Sequence, residues 1–370
     1  MEEQVEVDVV EERQDLVKVV QLLKEACQEL QRKPSSSRSR NELIQLVDTI
    51  TSDTNININI NMPRVSEQLS SLKSLLDTLH ATPAHSFVRR RLTAHQISRL
   101  ASSIESDLQA WLDRQLVDSL LQSFNSSDSD SQLLLLMCQF QERLSQGFNL
   151  RLQELILKSN LFSQLETIVA HTCQSMAVRE QAALCIEALI SFNKNVFVVQ
   201  LLMGPTTKSL ISMATPCSFK VLSSLITSIK SPLVDEIHNS GLIPSILSFL
   251  TSSSSEMQLI ALECVMQIGY YGRKDAVEAM LNAGVVEMLL HLQTSTCSGD
   301  DEDDDNDSSH PLGTCVADFA VQLEVGQGLR QREKRAFKHH ILRRLRDANA
   351  TLSHAQAATI QAQVLWGSFT

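Results

Sequence analysis

Two stretches of this chain repeat the same residue pattern, and this repeat constrains the fold more than any other feature. The segment Val234–Phe249 returns 43 residues later as Val277–Leu292, with its apolar positions, its asparagine and its glycine in the same places. A period of about 40–47 residues built from two or three helices is typical of helical-repeat solenoids. One such unit cannot bury its apolar face alone, so the core forms between stacked neighbours. The repeat therefore predicts an α-solenoid.

Three helices are predicted within each unit. A short first helix ends at the Asn-x-Gly triplets that contain Asn239 and Gly241, or Asn282 and Gly284. Glycine suits these positions because a chain leaving a helix often turns left-handed or approaches other backbone closely. A second helix follows, and the spacing of apolar residues then predicts a third helix over Met257–Ile268. This succession resembles the armadillo repeat, in which a short helix, an Asn/Ala-Gly turn and two longer helices recur.

Two weaker copies lie upstream and open at Asn160 and Gly204. The third helix of the first of them carries Ala182-x-x-Cys185-Ile186, which has the spacing of Ala261-x-x-Cys264-Val265. The turn residues at 160, 204, 241 and 284 are separated by 44, 37 and 43 residues, so the copy after Gly204 is short and degenerate or lacks part of a helix. We therefore expect four repeats, or five if 134–157 forms a divergent first copy.

The N-terminal part of the chain has the apolar periodicity of a helical bundle. Four amphipathic segments with short connections favour an antiparallel four-helix bundle over residues 1–125. The alternating run at 54–61 could form a strand, but with Pro63 behind it and helices on both sides we interpret it as a loop insert. The predicted helices cover residues 9–32, 43–50, 65–79 and 93–124.

We thus predict an all-α protein with an N-terminal bundle, a short armadillo-type α-solenoid and a helical C-terminal cap. A serine-rich linker at 126–132 separates the bundle from repeats over 133–325, and the cap covers 326–370. An acidic loop insert at 295–310 interrupts the last repeat. A low aromatic content of 4% suits helical stacking better than a β-sandwich.

The negative charge of the chain is concentrated in that insert. The formal net charge is −11, and residues 300–307 contain seven acids. The other 36 acids nearly balance the 32 Lys and Arg residues, so the rest of the chain is close to neutral. Specific nucleic-acid binding is therefore not expected. A further hypothesis is that 300–307 folds over the basic segment 330–346 when no partner is bound.

The order of a bundle followed by repeats resembles that of plant armadillo-repeat proteins, including plant U-box ubiquitin ligases with an N-terminal helical domain. In those ligases the U-box lies between the bundle and the repeats. Here only the linker at 126–132 lies there, and no segment resembles a U-box. The segments 315–338 and 357–367 also resemble the C-terminus of uncharacterised plant armadillo-type proteins. The resemblance implies a protein-binding module without its own means of recruiting a ubiquitin-conjugating enzyme.

The resemblance also directs attention to the third helices, which line the concave face of an armadillo solenoid. Some armadillo proteins carry a ladder of asparagines there that grips a peptide backbone, but the matching positions here are Ala188, Gln267 and Leu323, so that ladder is absent. We instead expect partner binding through polar and charged side chains of the third helices. The candidate concave-surface residues are Arg179, Glu187, Glu256, Glu263 and Gln267.

The cap contains a second candidate surface, a basic patch. Two interpretations stay open: a targeting or phosphate-binding helix, or a solvated face whose apolar side covers the end of the solenoid. That apolar side comprises Ala336, Phe337, Ile341, Leu342 and Leu345. The basic residues are Arg330, Arg332, Lys334, Arg335, Lys338, Arg343, Arg344 and Arg346.

Signals for catalysis, cofactors and metals are lacking in the sequence. Val325-Gly-Gln-Gly328 has neither the third glycine nor the preceding strand of a dinucleotide-binding loop. The eight cysteines form no Cys-x-x-Cys pair, and we expect Cys173, Cys185 and Cys264 to be buried, reduced thiols. We therefore expect no catalytic residues, no cofactor and no metal.

These patterns predict a non-enzymatic scaffold or adaptor that binds other proteins through its repeats. One alternative is a component that selects substrates for a ubiquitin ligase supplied in trans. Another is a peripheral membrane protein whose basic patch contacts anionic lipid, which is the least favoured. The acidic N-terminus and the absence of an apolar run long enough to span a bilayer predict a cytoplasmic or nuclear protein.

Overall fold

Every regular element among the described residues is a helix. The computed structural model describes residues 37–52, 63–81, 86–125, 130–296, 313–347 and 354–366, together with six helical positions between Lys18 and Arg32. No strand occurs in these ranges, and the predicted all-α class is confirmed. The loop insert at 54–61, most of the predicted first helix at 9–32 and the acidic segment 300–307 lie outside the described residues.

The described helices are labelled here in chain order. They are α1 (Ser37–Ser52), α2 (Pro63–Ala81), α3 (Phe87–Asn125), α4 (Asp130–Ser145), α5 (Leu150–Lys158), α6 (Leu161–Ala170), α7 (Met176–Met203), α8 (Thr206–Met213), α9 (Pro216–Ile229), α10 (Ser231–Asn239), α11 (Ile243–Ser248), α12 (Ser255–Tyr271), α13 (Lys274–Asn282), α14 (Val285–Thr296), α15 (Cys315–Val325), α16 (Gln331–Asp347) and α17 (His354–Trp366). A 3₁₀ turn, Phe249–Thr251, follows α11.

The chain divides into two compact units that do not follow a single cut in the sequence. The first unit contains the residues up to Ser119 and Asn149–Lys158, and the second contains Leu120–Phe148 and Ser159–Thr370. Helix α3 contributes to both units. Of the predicted linker at 126–132, residues 130–132 are the start of α4, because Asp130 begins that helix, and residues 126–129 lie outside the described part.

A leucine-rich core holds the first unit together. Leucines, isoleucines and valines of α1, α2 and α3 recur three or four positions apart, which places them on one helical face where they are almost fully buried. The buried residues include Leu43, Val47, Leu69, Leu72, Leu76, Leu79, Ile97, Ile104 and Leu108.

Asp107 on α3 adds a polar contact in the same unit. It accepts a hydrogen bond from Gln68 of α2 at 3.3 Å and one from Arg151 of α5 at 3.2 Å. One carboxylate therefore joins three helices of the first unit.

From α6 onward the repeats lie in the second unit. Each copy has three helices as predicted, but the second is not always longer than the first, since α10 has 9 residues and α11 has 6. The segment between Gly241 and Gly284 contains α11 and α12, which are the second and third helices of one copy. It ends with α13, which is the first helix of the next copy. In the degenerate copy all three helices are present, but its third helix, α9, has 14 residues against 17 in α12. Two residues, Ala214 and Thr215, connect α8 and α9. The shorter third helix and the short connection account for the short interval.

Helix α7 continues from one repeat into the next. Its first part is a third helix, and its last part is the first helix of the degenerate copy. Asn193, with φ −155° and ψ 87°, is the non-helical residue that divides the two. By length and composition α7 could cross a membrane, contrary to the expectation that no such segment exists. Its buried residues, among them Cys185 and Ile186, instead lie against other helices of the unit.

The backbone conformation of the turns between first and second helices explains why asparagine or glycine stands at this position of the repeat. Asn160, Gly241 and Gly284 have φ values of 52°, 67° and 85°, a left-handed conformation that glycine and asparagine adopt at least cost. Asn239 and Asn282 are the last residues of α10 and α13.

Gly204 occupies the same position in the repeat for a different reason. Its φ is −89°, so it is not left-handed. A Cβ atom at Gly204 would collide with the carboxylate of Glu166, which is only 8% exposed. Thr206, the first residue of α8, donates a hydrogen bond of 2.6 Å to that carboxylate. Burial raises the pKa of Glu166, and the hydrogen bond from Thr206 lowers it in part.

The two glycines after α15 allow a close approach between backbones. The amide of Gln327 donates a hydrogen bond of 2.8 Å to the carbonyl of Tyr270 at the end of α12. A Cβ at Gly328 would collide with the carbonyl of Gly272. The Gly-Gln-Gly sequence is thus explained by packing against α12.

Helices α16 and α17 cover α15 and form the predicted cap. The apolar face of α16 is buried through Phe337, Ile341, Leu342 and Leu345. Ala336, which was predicted on that face, is exposed. Its position in the helix turns it away from the line through Phe337 and Ile341.

Replacing Gly241 with alanine tests the left-handed turn. We expect Gly241→Ala to lower the free energy of unfolding by about 1–2 kcal/mol, because an L side chain disfavours this conformation. Gly241→Asn is the matched control, since asparagine tolerates it, as Asn160 does in the first copy. Urea denaturation followed by circular dichroism measures both. An equal loss for the two variants would show that the conformation is not the cause.

A double-mutant cycle tests the contact between Gly204 and Glu166. We expect Gly204→Ala to cost about 1–3 kcal/mol, as overpacking of a buried site does. In a Glu166→Ala background the carboxylate is absent, so the same change should cost much less. Chemical denaturation of the four proteins gives the coupling energy. Additive losses would contradict the collision.

Candidate partner-binding surface

The third helices of successive repeats stack directly on one another. Helices α4, α7, α9, α12 and α15 form a continuous row in which each contacts the next. In two places a thiol crosses the gap to a backbone carbonyl: Cys185 donates to Met137 at 3.4 Å, and Cys264 donates to Phe219 at 3.5 Å. The repeated motif Ala-x-x-Cys therefore has the same packing role in both copies.

Polar side chains connect the same helices on their outer side. Gln181 of α7 donates a hydrogen bond of 2.8 Å to Gln141 of α4. Between α9 and α12, Ser223 donates to Glu263 at 2.8 Å, and Gln267 donates to Ser223 at 2.8 Å. These contacts hold the side chains of neighbouring repeats in fixed positions.

Four of the five predicted concave-surface residues lie on this outer side of the third helices. Glu256 and Glu263 of α12 are exposed, and Glu187 of α7 and Gln267 of α12 are half-buried. We call the outer side of α4, α7, α9, α12 and α15 the third-helix face.

Arg179 does not belong to the third-helix face, and its prediction as a surface residue is wrong. It is 6% exposed, and its Nε and Nη2 atoms donate hydrogen bonds of 3.0 and 2.9 Å to the carbonyl of Val169. That carbonyl lies at the end of α6, where helical partners are lacking. Arg179 therefore stabilises the end of a second helix instead of meeting a partner.

Acidic residues outnumber basic residues on the third-helix face. Glu180 and Glu187 both raise the pKa of Cys217 on α9, after burial, which is the larger cause. Glu256 forms an ion pair of 3.2 Å with Lys220, but Glu263 has no cation within the described ion pairs. The third-helix face is therefore acidic overall. Lys220 is the basic residue that α9 contributes to it.

Two residues of this region were missed in the sequence: Lys220, which is exposed on the face, and Ser223, which is 3% exposed and lies beneath it between α9 and α12. They lie on α9, the third helix of the degenerate copy, which the sequence analysis did not delimit. The spacing Ser218-x-x-Val221-Leu222 is the signal that could have found them, because it matches Ala261-x-x-Cys264-Val265. Leu323, taken as a position of the asparagine ladder, is 2% exposed and belongs to the core.

The basic patch divides into residues that contact the repeats and residues that do not. Lys334 donates to the carbonyls of Glu324 and Gly326 at 2.7 and 2.8 Å, which satisfies the end of α15. Lys338 pairs with Glu324 at 2.9 Å, and Arg344 pairs with Glu287 at 3.0 Å. The remaining residues of the patch are exposed, namely Arg330, Arg332, Arg335, Arg343 and Arg346.

Among the described residues, no group of three or more His, Cys, Asp or Glu is arranged to hold a metal ion. Of the three cysteines predicted to be buried, Cys185 and Cys264 are buried, whereas Cys173 is exposed. Cys173 lies in the turn between α6 and α7, just beyond the helical apolar pattern that suggested burial.

Comparison with known proteins gives similarity to solved structures only. No family model matches the chain, and no curated protein matches it. A designed armadillo repeat protein is similar over 68% of this chain and 100% of its own, with 15% identity and a TM-score of 0.46. Another, in complex with a (KR)4 peptide, covers 69% of this chain and 99% of its own at 17% identity and a TM-score of 0.45.

A third similar structure, described as an engineered protein, covers 94% of this chain and 87% of its own, with 17% identity and a TM-score of 0.47. These scores are low, so the assignment of the fold rests on the helices themselves. The repeated three-helix unit and the left-handed turns at Asn160, Gly241 and Gly284 support an armadillo-like solenoid.

Cysteine alkylation tests the packing of the third helices. Burial raises the pKa of Cys185 and Cys264, and it raises the pKa of Cys315 to about 12. Only the thiolate reacts, so iodoacetamide should modify exposed Cys138 and Cys173 in the native protein far faster than these three. Peptide mass spectrometry measures the rates, with urea-unfolded protein as the control. Equal rates for Cys173 and Cys264 would contradict the packing.

Proposed function

We propose that this protein is a non-enzymatic scaffold that binds other proteins through its third-helix face. The observation that supports this proposal most is the row of stacked third helices whose outer side chains are joined across neighbouring repeats. A surface held in place before binding loses little side-chain entropy when a partner arrives. An elongated row of helices offers that surface over several repeats.

The charge of the face selects the chemistry of the partner. Glu180, Glu187, Glu256 and Glu263 present carboxylates, which form their strongest hydrogen bonds with Lys and Arg. Of the three ladder positions, Ala188 has no polar side-chain atom and Leu323 is buried, so recognition relies more on the side chains of the partner than on its backbone. We therefore propose a basic extended or helical segment of another protein as the ligand.

Charge reversal tests this proposal. The double variant Glu187→Lys with Glu263→Lys should lose partners that the unchanged protein captures from a cell extract, by at least about tenfold. The matched control is Asp275→Lys with Glu278→Lys on α13, which changes the net charge equally but lies on a first helix. Quantitative mass spectrometry of the captured proteins is the measurement.

Circular dichroism and melting temperature serve to check that both variants fold. Loss of the same partners from both variants would mean that net charge alone governs capture. Retention of all partners by the third-helix variant would show that the binding surface lies elsewhere in the chain.

The ubiquitin-pathway alternative concerns the identity of those partners. Under it, the protein selects substrates for a ligase supplied in trans, and ubiquitin ligases should appear among the proteins lost on charge reversal. We place such a scaffold in the cytoplasm or the nucleus, and fluorescence microscopy of the tagged full chain tests that location.

A further inference from the structure

The exposed basic residues of α16 fall on a single line along the helix. Arg332, Arg335, His339, Arg343 and Arg346 follow one another at intervals of three or four residues, which places them on one helical face. All five are exposed. At about 1.5 Å per residue the line extends over about 21 Å. We call these five residues the arginine stripe.

The stripe lies opposite the face that α16 buries. Phe337, Ile341 and Leu345 point into the core, and the stripe residues occupy the other side of the same turns. The basic residues on the buried side of the helix are used within the fold, as the contacts of Lys334, Lys338 and Arg344 show. No ion pair involves a stripe residue within the described part of the chain.

The stripe is unfavourable for the isolated fold. Like charges three or four residues apart destabilise a helix by about 0.2–0.5 kcal/mol for each pair. Arg346 lies in the last turn, where the helix dipole favours a cation, but Arg332 lies in the first turn, where the dipole disfavours one. Stability of the cap therefore explains Lys334, Lys338 and Arg344 but not the stripe.

We propose that the arginine stripe is a docking surface for an acidic α-helical segment of another protein. A helix with Asp or Glu at the same three- and four-residue intervals presents carboxylates at the same steps of about 4.5 and 6 Å. Guanidinium groups bind carboxylates through two parallel hydrogen bonds, which a lysine cannot do. The four arginines can therefore each face one carboxylate of such a helix, with His339 between them.

The geometry favours this partner over a membrane or a nucleic acid. A helix that lies on a membrane inserts its apolar face into the lipid, whereas the apolar face of α16 is buried in the cap. A helix in the major groove, about 12 Å wide, meets phosphates on both sides, whereas the stripe is one line of charge. This surface is separate from the third-helix face and carries the opposite charge.

The test uses two synthetic peptides of equal composition. In one, five glutamates are spaced at the intervals of the stripe, and in the other the same five are spread around the helix. Fluorescence anisotropy with the full chain should show that the striped peptide binds at least about tenfold more tightly, and that about 0.5 M salt weakens it. Equal binding of the two peptides would overturn the proposal.

Charge-reversal variants locate the binding site. Arg335→Glu with Arg343→Glu should weaken the striped peptide at least about tenfold, because both carboxylate contacts become repulsive. Arg89→Glu with Arg91→Glu on α3, two exposed arginines of the first unit, is the matched control and should bind as before. Glu187→Lys with Glu263→Lys should also bind as before, which separates this proposal from the function of the third-helix face.

Two competitors test whether a membrane or a nucleic acid binds the arginine stripe instead of an acidic helix. Vesicles containing phosphatidylserine and a short DNA duplex are added to the complex of the protein with the striped peptide. The proposal is overturned if either competitor displaces the peptide from the unchanged protein at lower anion concentration than unlabelled striped peptide does, and also binds the unchanged protein but not the stripe variant in a direct binding assay. Unchanged melting temperature of the Arg335→Glu, Arg343→Glu protein shows that the cap remains folded.

Discussion

Direct contact between successive third helices is the constraint on which the repeat unit depends. The third helices carry small residues where they meet, namely Ala182 and Cys185 on α7 and Ala261 and Cys264 on α12. Neighbouring third helices can therefore approach until a thiol reaches a carbonyl of the preceding third helix. A larger side chain there would separate the helices and expose the apolar residues of both repeats. Since each repeat buries its core only against its neighbours, damage at one such contact weakens two repeats.

The same stacking determines what the outer side of the helices can do. Ser223, Glu263 and Gln267 bond to one another because α9 and α12 are close enough for side chains to meet. The cap uses its charges differently. Lys334 and Lys338 close the end of α15, and the arginine stripe is left facing solvent. Two surfaces of opposite charge thus arise in one solenoid, the acidic one from stacked repeats and the basic one from a single helix.

The repeat made much of the fold predictable, because equal spacing implies equal local structure. Gly241 and Gly284 follow from the sequence, since a left-handed turn after a short helix calls for glycine. Arg179 and Gly204 could not be understood in this way. Arg179 bonds to the carbonyl of Val169 and Gly204 lies against the carboxylate of Glu166, and both of these groups belong to α6. The spacing of residues in the sequence does not show which second helix packs against a given residue. Lys220 was missed because its repeat is shortened.

Helix α7 has a consequence for how such a chain can grow. A stretch from Gly241 to the residue before Gly284 begins and ends at equivalent turns, so a duplicated copy would join its neighbours without distorting a helix. At Asn193 the junction is tighter, because a single non-helical residue separates a third helix from the first helix of the next copy. A cassette inserted at the turns of Gly241 and Gly284 should therefore leave every helix intact, whereas one inserted at Asn193 has a single non-helical residue to absorb the change of direction.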